Sequence, residues 1–264
     1  MSPDLMFWLA LTIKMAITAL FVSVATIIAE RLGAAVGALV ATLPVSAGPV
    51  YVFLALDHDA AFISVSAVAS LALNAATAVF VTVYVLMAQR RSLWISVSLA
   101  FTAWLATALA LGPVHWTASS AFVLNLVVFA LSLWIVRPFC LVPMPPTIRP
   151  WYDFVVRAGI VTLLVGAVVT LSFRIGPTGS GVLAVFPVIY MSIMVILHRR
   201  VGGPSTAAVL ANAVPGLAGF GVALLTLHLT AVPLGSALAL IAALSVSVAW
   251  NAGLYVTRRH ESFA

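Results

Sequence analysis

Two prolines lie inside long apolar runs and would interrupt any helix that those runs form. They are Pro44 and Pro187, and 143 positions separate them. A proline removes a backbone donor and clashes with the carbonyl one turn earlier, so a helix kinks or breaks there. In hydrocarbon the freed groups need a protein, water or ligand partner, and breaks at matched points of two repeats are typical of a transporter's binding site. A packing kink is the alternative, which we would favour for one proline alone.

Polar side chains that can hydrogen-bond a solute occur beside these prolines and in other apolar runs. Thr42, Ser46 and Tyr190 stand within three residues of one of the prolines. Asn74 and Asn212 occupy similar Asn-Ala settings, so they are candidate counterparts in two halves of the chain. Their ordinary role is to hydrogen-bond helices together, which contributes about 0.6 kcal/mol in measured membrane cases. We predict that these five residues and the two prolines form a solute site.

Two cations, Lys14 and Arg157, are also 143 positions apart and lie inside apolar runs. A cation at the centre of a membrane helix costs roughly 2.5–3.5 kcal/mol on insertion scales, so it needs a partner, a cavity or the interface. The few carboxylates fall at helix ends and in turns, as Asp57 and Asp59 do. We therefore predict unpaired cations that attract an anionic group together with the amides of broken helices. The alternative, which we weigh equally, is that Lys14 extends to one membrane surface and Arg157 to the other.

Patterns for other chemistry are poor. The five histidines lie in or near connections and show no metal-ligand spacing, and no Walker loop occurs. A single cysteine excludes a Cys-rich metal site, and the basic residues form no aromatic-basic surface for nucleic acid. We expect no catalytic residues, no metal, no cofactor and no nucleic-acid partner, and an enzyme is the least favoured class.

The elements that must position these residues are membrane helices. Apolar residues make up 64% of the 264 residues and charged residues only 7%, which excludes a water-soluble fold. Nine apolar runs predict an all-α polytopic protein with about nine transmembrane helices. The runs lie near 5–29, 33–56, 60–88, 93–112, 118–136, 152–173, 179–198, 204–228 and 232–256. Nearly all the arginines in the connections, Arg90 and Arg199 among them, follow odd-numbered runs, which predicts an N-outside, C-inside topology.

An internal repeat supports this organisation. A shift of 143 positions superposes Trp8 on Trp151, Arg31 on Arg174 and Gly33 on Gly176 without a gap, and Pro44 falls on Pro187. Five runs precede the second copy, so the copies cross the membrane in opposite directions. We predict a five-plus-four inverted-topology repeat: residues 1–136, a cytoplasmic Pro/Arg linker at 137–151, and residues 152–264. Run 5 has no evident counterpart.

The stretch Ser23-Val-Ala-Thr-Ile-Ile-Ala-Glu30-Arg31, followed by Gly33 and Gly37-Ala-Leu-Val-Ala-Thr-Leu-Pro44, resembles the GlpM-like group of small bacterial inner-membrane proteins. Members are roughly half this length and also carry a lysine in the first helix, as Lys14 does here. The resemblance covers about the first 55 residues and, more weakly, the second copy. It implies a bacterial inner-membrane location and an origin by duplication and fusion, and it carries no settled activity.

We expect a secondary transporter or exporter that moves a small organic solute, anionic or amphipathic, by alternating access. The alternative is a non-transport integral membrane subunit of an envelope or lipid-handling system. The expected partners are the solute and the lipid bilayer, and assembly of several copies into a homo-oligomer is left open.

Overall fold

The protein is a multi-pass helical membrane protein. The computed structural model describes residues 3–31, 47–142 and 152–261, in which all regular structure is helical. Six stretches in these ranges are long and apolar enough to cross a membrane: Ala60–Met87, Leu93–Leu111, Ala118–Phe139, Ala158–Val201, Gly203–Leu234 and Ser236–Thr257. The α-helices in chain order are α1 (Pro3–Arg31), α2 (Ala47–Asp57), α3 (Ala60–Met87), α4 (Leu93–Leu111), α5 (Ala118–Val136), α6 (Tyr152–Ala184), α7 (Val188–Val201), α8 (Gly203–Leu234) and α9 (Ser236–Glu261). A short 3-10 turn, Arg137–Phe139, follows α5.

Several predicted helix boundaries agree closely with these elements. The runs at 60–88, 93–112 and 118–136 correspond to α3, α4 and α5. Local capping explains the sharp starts: the Asp59 carboxylate accepts the Phe62 N–H at 2.8 Å, and Thr117 and Ser120 form a reciprocal capping box before α5. The count of nine crossings stays a prediction, because residues 32–46 lie outside the described ranges and the apolar parts of α1 and α2 are shorter.

Helix α3 forms the centre of the bundle. In an apolar stretch of 18 residues in α3, 89% of the residues are buried inside the protein. The corresponding stretches of α4 and α9 are only 28% and 17% buried. Small residues such as Ala67, Ala72 and Ala76 are fully buried there and let neighbouring helices approach closely. Helices α4, α5 and α9 therefore present most of their apolar side chains outward, as expected for contact with lipid.

Helices α3 and α8 cross the core side by side in opposite directions. The hydroxyl of Ser64, near the start of α3, lies 2.8 Å from His228 Nδ1 near the end of α8. Asn74 in the middle of α3 donates to the Leu217 carbonyl in the middle of α8. A Cβ on Gly203, at the start of α8, would overlap the Ala88 carbonyl after the end of α3. The pair is therefore antiparallel.

Helix α6 contains a sharp change of direction at Gly176. This residue has φ 68° and ψ −173°, a conformation that glycine adopts without steric cost, and Pro177 follows it. Residues 177–184 then continue as a helical arm against α3. The hydroxyls of Ser66 and Ser70 donate to the carbonyls of Pro177 (2.9 Å) and Gly181 (2.6 Å). This arm leads directly into the interruption before α7.

Candidate functional site

The helical backbone is interrupted at residues 185–187, between α6 and α7, where Pro187 was predicted to break a helix. Phe186 N–H donates to the Leu183 carbonyl at 3.1 Å, and Val188 N–H donates to the Phe186 carbonyl at 2.7 Å. The first helical-type bond after the interruption joins Met191 N–H to the Pro187 carbonyl at 2.9 Å. The predicted break at this proline is therefore present, and α7 begins inside an apolar segment.

The N-terminal end of α7 presents unused hydrogen-bond donors. The first N–H groups of a helix have no acceptor within that helix. Across the ranges that the structure describes, neither Ile189 nor Tyr190 finds a backbone acceptor for its N–H group. The Tyr190 hydroxyl, predicted as a site group, is partly buried and likewise has no partner there. Two carbonyls of the preceding arm do have donors: the Ser70 hydroxyl donates to the Gly181 carbonyl, and the Phe186 N–H group donates to the Leu183 carbonyl.

Three aromatic rings lie beside this interruption. Trp104 of α4 packs edge-on against Phe186, with 5.0 Å between ring centroids, and Phe101 lies 6.0 Å from Trp104 and 6.2 Å from Phe186. Trp104 is only 4% exposed, and its Nε1 is buried without a hydrogen-bond partner. A buried polar group without a partner costs about 1–3 kcal/mol, so it calls for an explanation.

Sequence reasoning did not single out Trp104, although a signal existed. Five other tryptophans, such as Trp94 and Trp134, lie near the ends of the predicted apolar runs, where indole rings commonly anchor a protein in the membrane interface. Trp104 lies in the interior of α4, away from both ends of the helix. A mid-helix tryptophan that faces a proline break in another helix could be recognised only once the packing of α4 against this region was known.

The prediction that Lys14 lacks a carboxylate partner is wrong. Its Nζ lies 2.5 and 2.6 Å from the two carboxylate oxygens of Asp57, and the two side chains are 17% and 19% exposed. The ring of Phe53, one turn earlier in α2, lies 5.9 Å from Nζ. Asp57 was assigned to an exposed turn, but α2 ends against α1 at the level of Lys14. This cation is therefore neutralised within the protein.

His58 follows directly and joins the end of α2 to α6. Its Nε2 lies 2.8 Å from the Ser172 hydroxyl, and its ring stacks on Phe62 with 3.8 Å between centroids. Burial lowers the pKa of His58 below its usual value, and the charge of Lys14 acts in the same direction, while Asp57 and Asp59 oppose the shift.

The two predicted asparagines have separate structural partners. Asn74 donates to Asn125 Oδ1 at 3.0 Å and to the Leu217 carbonyl at 3.1 Å, which ties together α3, α5 and α8. Asn212 donates to the carbonyls of Cys140 and Ala208 at 3.0 and 2.9 Å. The structure does not bring them together, and both amides already contact protein acceptors.

Four further predicted residues cannot be placed in the site. Thr42, Pro44 and Ser46 lie outside the described residues. Arg157 lies in α6, but its side chain is not among those described. Their proposed roles stay predictions.

An apolar groove of about 350 Å³ lies between α1, α2, α8 and α9. Its polar lining residues, Thr18 and Tyr51, use their hydroxyls elsewhere: Thr18 donates to the Lys14 carbonyl, and Tyr51 pairs with Ser70. The flanking side chains of α1 and α9 are exposed, which opens the groove toward the surrounding lipid. The groove therefore suits hydrocarbon.

No cluster of three or more potential metal-binding side chains occurs within the described ranges. No family model matches the chain, and neither a curated protein nor a solved structure resembles it significantly.

Proposed function

We propose that this protein is a secondary transporter or exporter of a small organic, amphipathic or anionic solute, and that its site lies at the interruption before α7. The observation that carries the proposal is an interrupted membrane helix with free N–H groups at Ile189 and Tyr190. Phe186, in the interruption, packs against Trp104, whose buried Nε1 has no partner among the described residues. Unsatisfied donors at membrane depth are expensive, and a solute that accepts hydrogen bonds would satisfy them. Alternating access would expose this site to each side of the membrane in turn.

The positions of the helices support the proposed inverted repeat. The starts of α3 and α8, Ala60 and Gly203, are 143 positions apart, as are the starts of α4 and α9, Leu93 and Ser236. The two central helices run antiparallel, as copies related by an axis in the membrane plane must. Helix α5 has no counterpart at this spacing, which fits the five-plus-four division.

Individual contacts at the same spacing support it further. Asn74 hydrogen-bonds Leu217, the residue 143 positions later, as expected for two related positions that meet at a twofold axis. Trp104 and Ser247 are also 143 apart, and both carry a buried polar atom without a partner in the described structure. The proposal therefore treats Trp104 and Ser247 as related positions in the two copies.

The solute is proposed to be amphipathic because the surroundings of the site are apolar. Phe101 and Phe186 flank the donors near α7, and the groove between α1 and α9 offers space for hydrocarbon. Support for an anion now comes from the donors at α7, since Asp57 neutralises Lys14. The N-outside topology, the bacterial inner membrane and the GlpM-like origin stay predictions from the sequence.

Reconstitution into liposomes tests the proposal. The full chain is expected to give saturable flux of at least one member of a panel of labelled organic anions and amphipaths, above that of protein-free liposomes. Tyr190→Phe should reduce this flux, because it removes one donor and keeps the ring. A panel in which no solute moves faster than in protein-free liposomes would contradict transport.

A non-transport membrane subunit of an envelope or lipid-handling system is the second candidate. It is favoured by the Lys14–Asp57 ion pair and by the Asn74–Asn125 hydrogen bond. These polar side chains are satisfied within the protein and so need no solute. This candidate predicts no saturable flux for any solute and stable capture of a partner protein from the same membrane.

A further inference from the structure

We infer that the apolar groove between α1, α2, α8 and α9 holds one acyl chain of a bilayer phospholipid, and that the Lys14–Asp57 ion pair beside it binds the headgroup. The headgroup that fits carries both a phosphate and a primary ammonium, as in phosphatidylethanolamine. The residues that line the groove belong to α1, α2, α8 and α9, so this lipid site is separate from the interruption before α7 and does not depend on transport.

The groove has a buried floor and exposed rims. Its volume is about 350 Å³, more than twice the roughly 150 Å³ of an apolar cavity that takes up benzene. Leu224 and Leu227 of α8 are buried and form the floor, whereas Phe21 of α1 and Ile241 of α9 are more than half exposed and form the rims. A hydrocarbon chain can therefore enter the groove sideways, directly from the bilayer.

The bulky rims favour an acyl chain over a second helix as the occupant. Transmembrane helices pack closely where small residues line the contact, and a helix with its side chains is about 10–12 Å across. Here Ile17 and Phe21 project from α1, and Ile241 and Leu244 project from α9. An acyl chain is much thinner than a helix, so it can lie between these side chains on the α8 floor.

The ion pair lies at the headgroup end of the groove. Phe53 joins the two features, because its ring lines the groove and lies 5.9 Å from Lys14 Nζ. Asp57 is the last residue of α2, and Asp59 caps α3, which has 28 residues. At 1.5 Å per residue α3 is about 42 Å long, which exceeds the roughly 30 Å of the hydrocarbon core. The polar turn that contains Asp57 is therefore at the depth of the lipid headgroups.

The ion pair can still form hydrogen bonds of both kinds. The Lys14 ammonium has three N–H groups, and among the described residues the two Asp57 oxygens accept two of them. Each Asp57 oxygen has a further lone pair. Both side chains are partly exposed, so a ligand can reach them. A phosphate can accept from Lys14 while a primary ammonium donates to Asp57, and each of these hydrogen bonds joins opposite charges.

This arrangement distinguishes between phospholipids. The quaternary ammonium of phosphatidylcholine has no N–H group, so it donates no hydrogen bond to Asp57. Phosphatidylglycerol has no ammonium, and its net negative charge would lie close to the Asp57 carboxylate, which repels it. Phosphatidylethanolamine satisfies both members of the ion pair without adding net charge.

Native mass spectrometry of the full chain tests the headgroup preference. The protein in detergent micelles is titrated with phosphatidylethanolamine, phosphatidylcholine and phosphatidylglycerol that carry identical dioleoyl chains. Phosphatidylethanolamine is expected to form the first lipid adduct about tenfold more tightly than either of the others, as for one additional hydrogen bond to a charged group. Equal affinities for the three lipids would overturn the inference.

Two glycines provide a matched pair of variants for the groove. Gly48 lines the groove and Gly159 lies on the exposed surface of α6, and no atom lies within 4 Å of a Cβ built at either position. Gly48→Leu fills part of the groove and should weaken phosphatidylethanolamine binding roughly tenfold, as expected if two methylene groups lose their burial. Its thermal unfolding midpoint should not fall. Gly159→Leu should bind as the wild type does, and equal binding by the two variants would overturn the inference.

Asp57→Asn tests the headgroup contact. The amide keeps the shape of the side chain and removes its charge, so the preference for phosphatidylethanolamine over phosphatidylcholine should disappear. Phosphatidylglycerol should bind more tightly than it does to the wild type, because no carboxylate repels it. A preference for phosphatidylethanolamine that survives in this variant would overturn the inference. Gly48→Leu leaves the ion pair intact, so its result decides the matter even if Asp57→Asn does not fold.

Discussion

Individual polar residues in this protein are mostly matched to one another within the membrane. Lys14 and Asp57 illustrate this, because each would be costly in an apolar environment and their charges cancel at 2.5 Å. The sequence predicted that Lys14 is buried in an apolar run, but its partner could not be found from sequence, since the approach of α2 to α1 depends on packing. Tyr190 was proposed as a site residue because it lies close to Pro187 in the same chain segment, and that role stays a prediction.

Removal of one member of this pair should destabilise the protein more than removal of both. Lys14→Ala leaves the Asp57 carboxylate without its cation, and we expect a loss of about 2 kcal/mol, below the roughly 3–5 kcal/mol seen when fully buried pairs are broken. Asp57→Ala should behave similarly, and the double variant should recover part of the loss. Unfolding in a denaturing detergent measures all three. Additive losses in the double variant would show that the two side chains do not interact.

The His58 contact predicts a pH-dependent stability. Because burial lowers its pKa in the folded protein, the unfolded chain takes up a proton first as the pH falls below the usual value of about 6.5. The stabilising contribution is complete above that value and decreases as the pH falls toward the lowered pKa. The thermal unfolding midpoint should therefore drop between about pH 7 and pH 5, and less so in His58→Gln. An equal drop in both proteins would assign the effect to other groups.

At the scale of helices, the sequence predicted elements well where local signals exist. Asp59 and Thr117 cap their helices, and Pro187 interrupts one, since each effect depends on residues adjacent in the chain. The sequence could not predict that residues 177–184 pack against α3. That contact depends on Gly181, whose missing side chain gives the Ser66 carbonyl its space.

A methyl group at position 181 should therefore disturb the packing of this arm. In Gly181→Ala the new Cβ would overlap the Ser66 backbone carbonyl, which cannot move freely within α3. We expect a loss of about 1–3 kcal/mol, typical of overpacking in a core. Gly159→Ala is the matched control, because no atom lies within 4 Å of its Cβ and alanine favours the helix. Unchanged thermal unfolding in Gly181→Ala would show that the arm is less tightly packed than described.

Replacement of Pro187 tests the interruption itself. In Pro187→Ala the restored N–H group can continue the helix from the arm into α7, so amide exchange at residues 185–190 should slow and solute flux should fall. Pro215→Ala in α8 is the control, because α8 continues through Pro215 and the exchange of residues 185–190 should not change. Fast exchange retained in Pro187→Ala would show that surrounding contacts, rather than the proline, hold the interruption open.

As a whole, the protein combines a central antiparallel helix pair, α3 and α8, with the interrupted helix of α6 and α7 beside it. The apolar composition predicted a helical membrane protein, which the structure confirms, whereas the relation between helices at the 143-residue spacing stays a prediction. Composition cannot predict which residues face the site, because in a membrane helix the lipid-facing and buried sides are both apolar. For that reason the aromatic cluster of Phe101, Trp104 and Phe186 emerged only from the packing.

Labelling of the interruption from each side of the membrane distinguishes alternating access from a closed bundle. In a background in which Cys140, the single native cysteine, is replaced by alanine, Tyr190→Cys places a thiol at the site. Leu163→Cys is the control, because Leu163 is 66% exposed on α6 and faces hydrocarbon. A membrane-impermeant maleimide is applied separately to right-side-out and inside-out vesicles. Alternating access predicts labelling of Tyr190→Cys from both faces and of Leu163→Cys from neither, whereas a site reached from only one face, or from none, would contradict it.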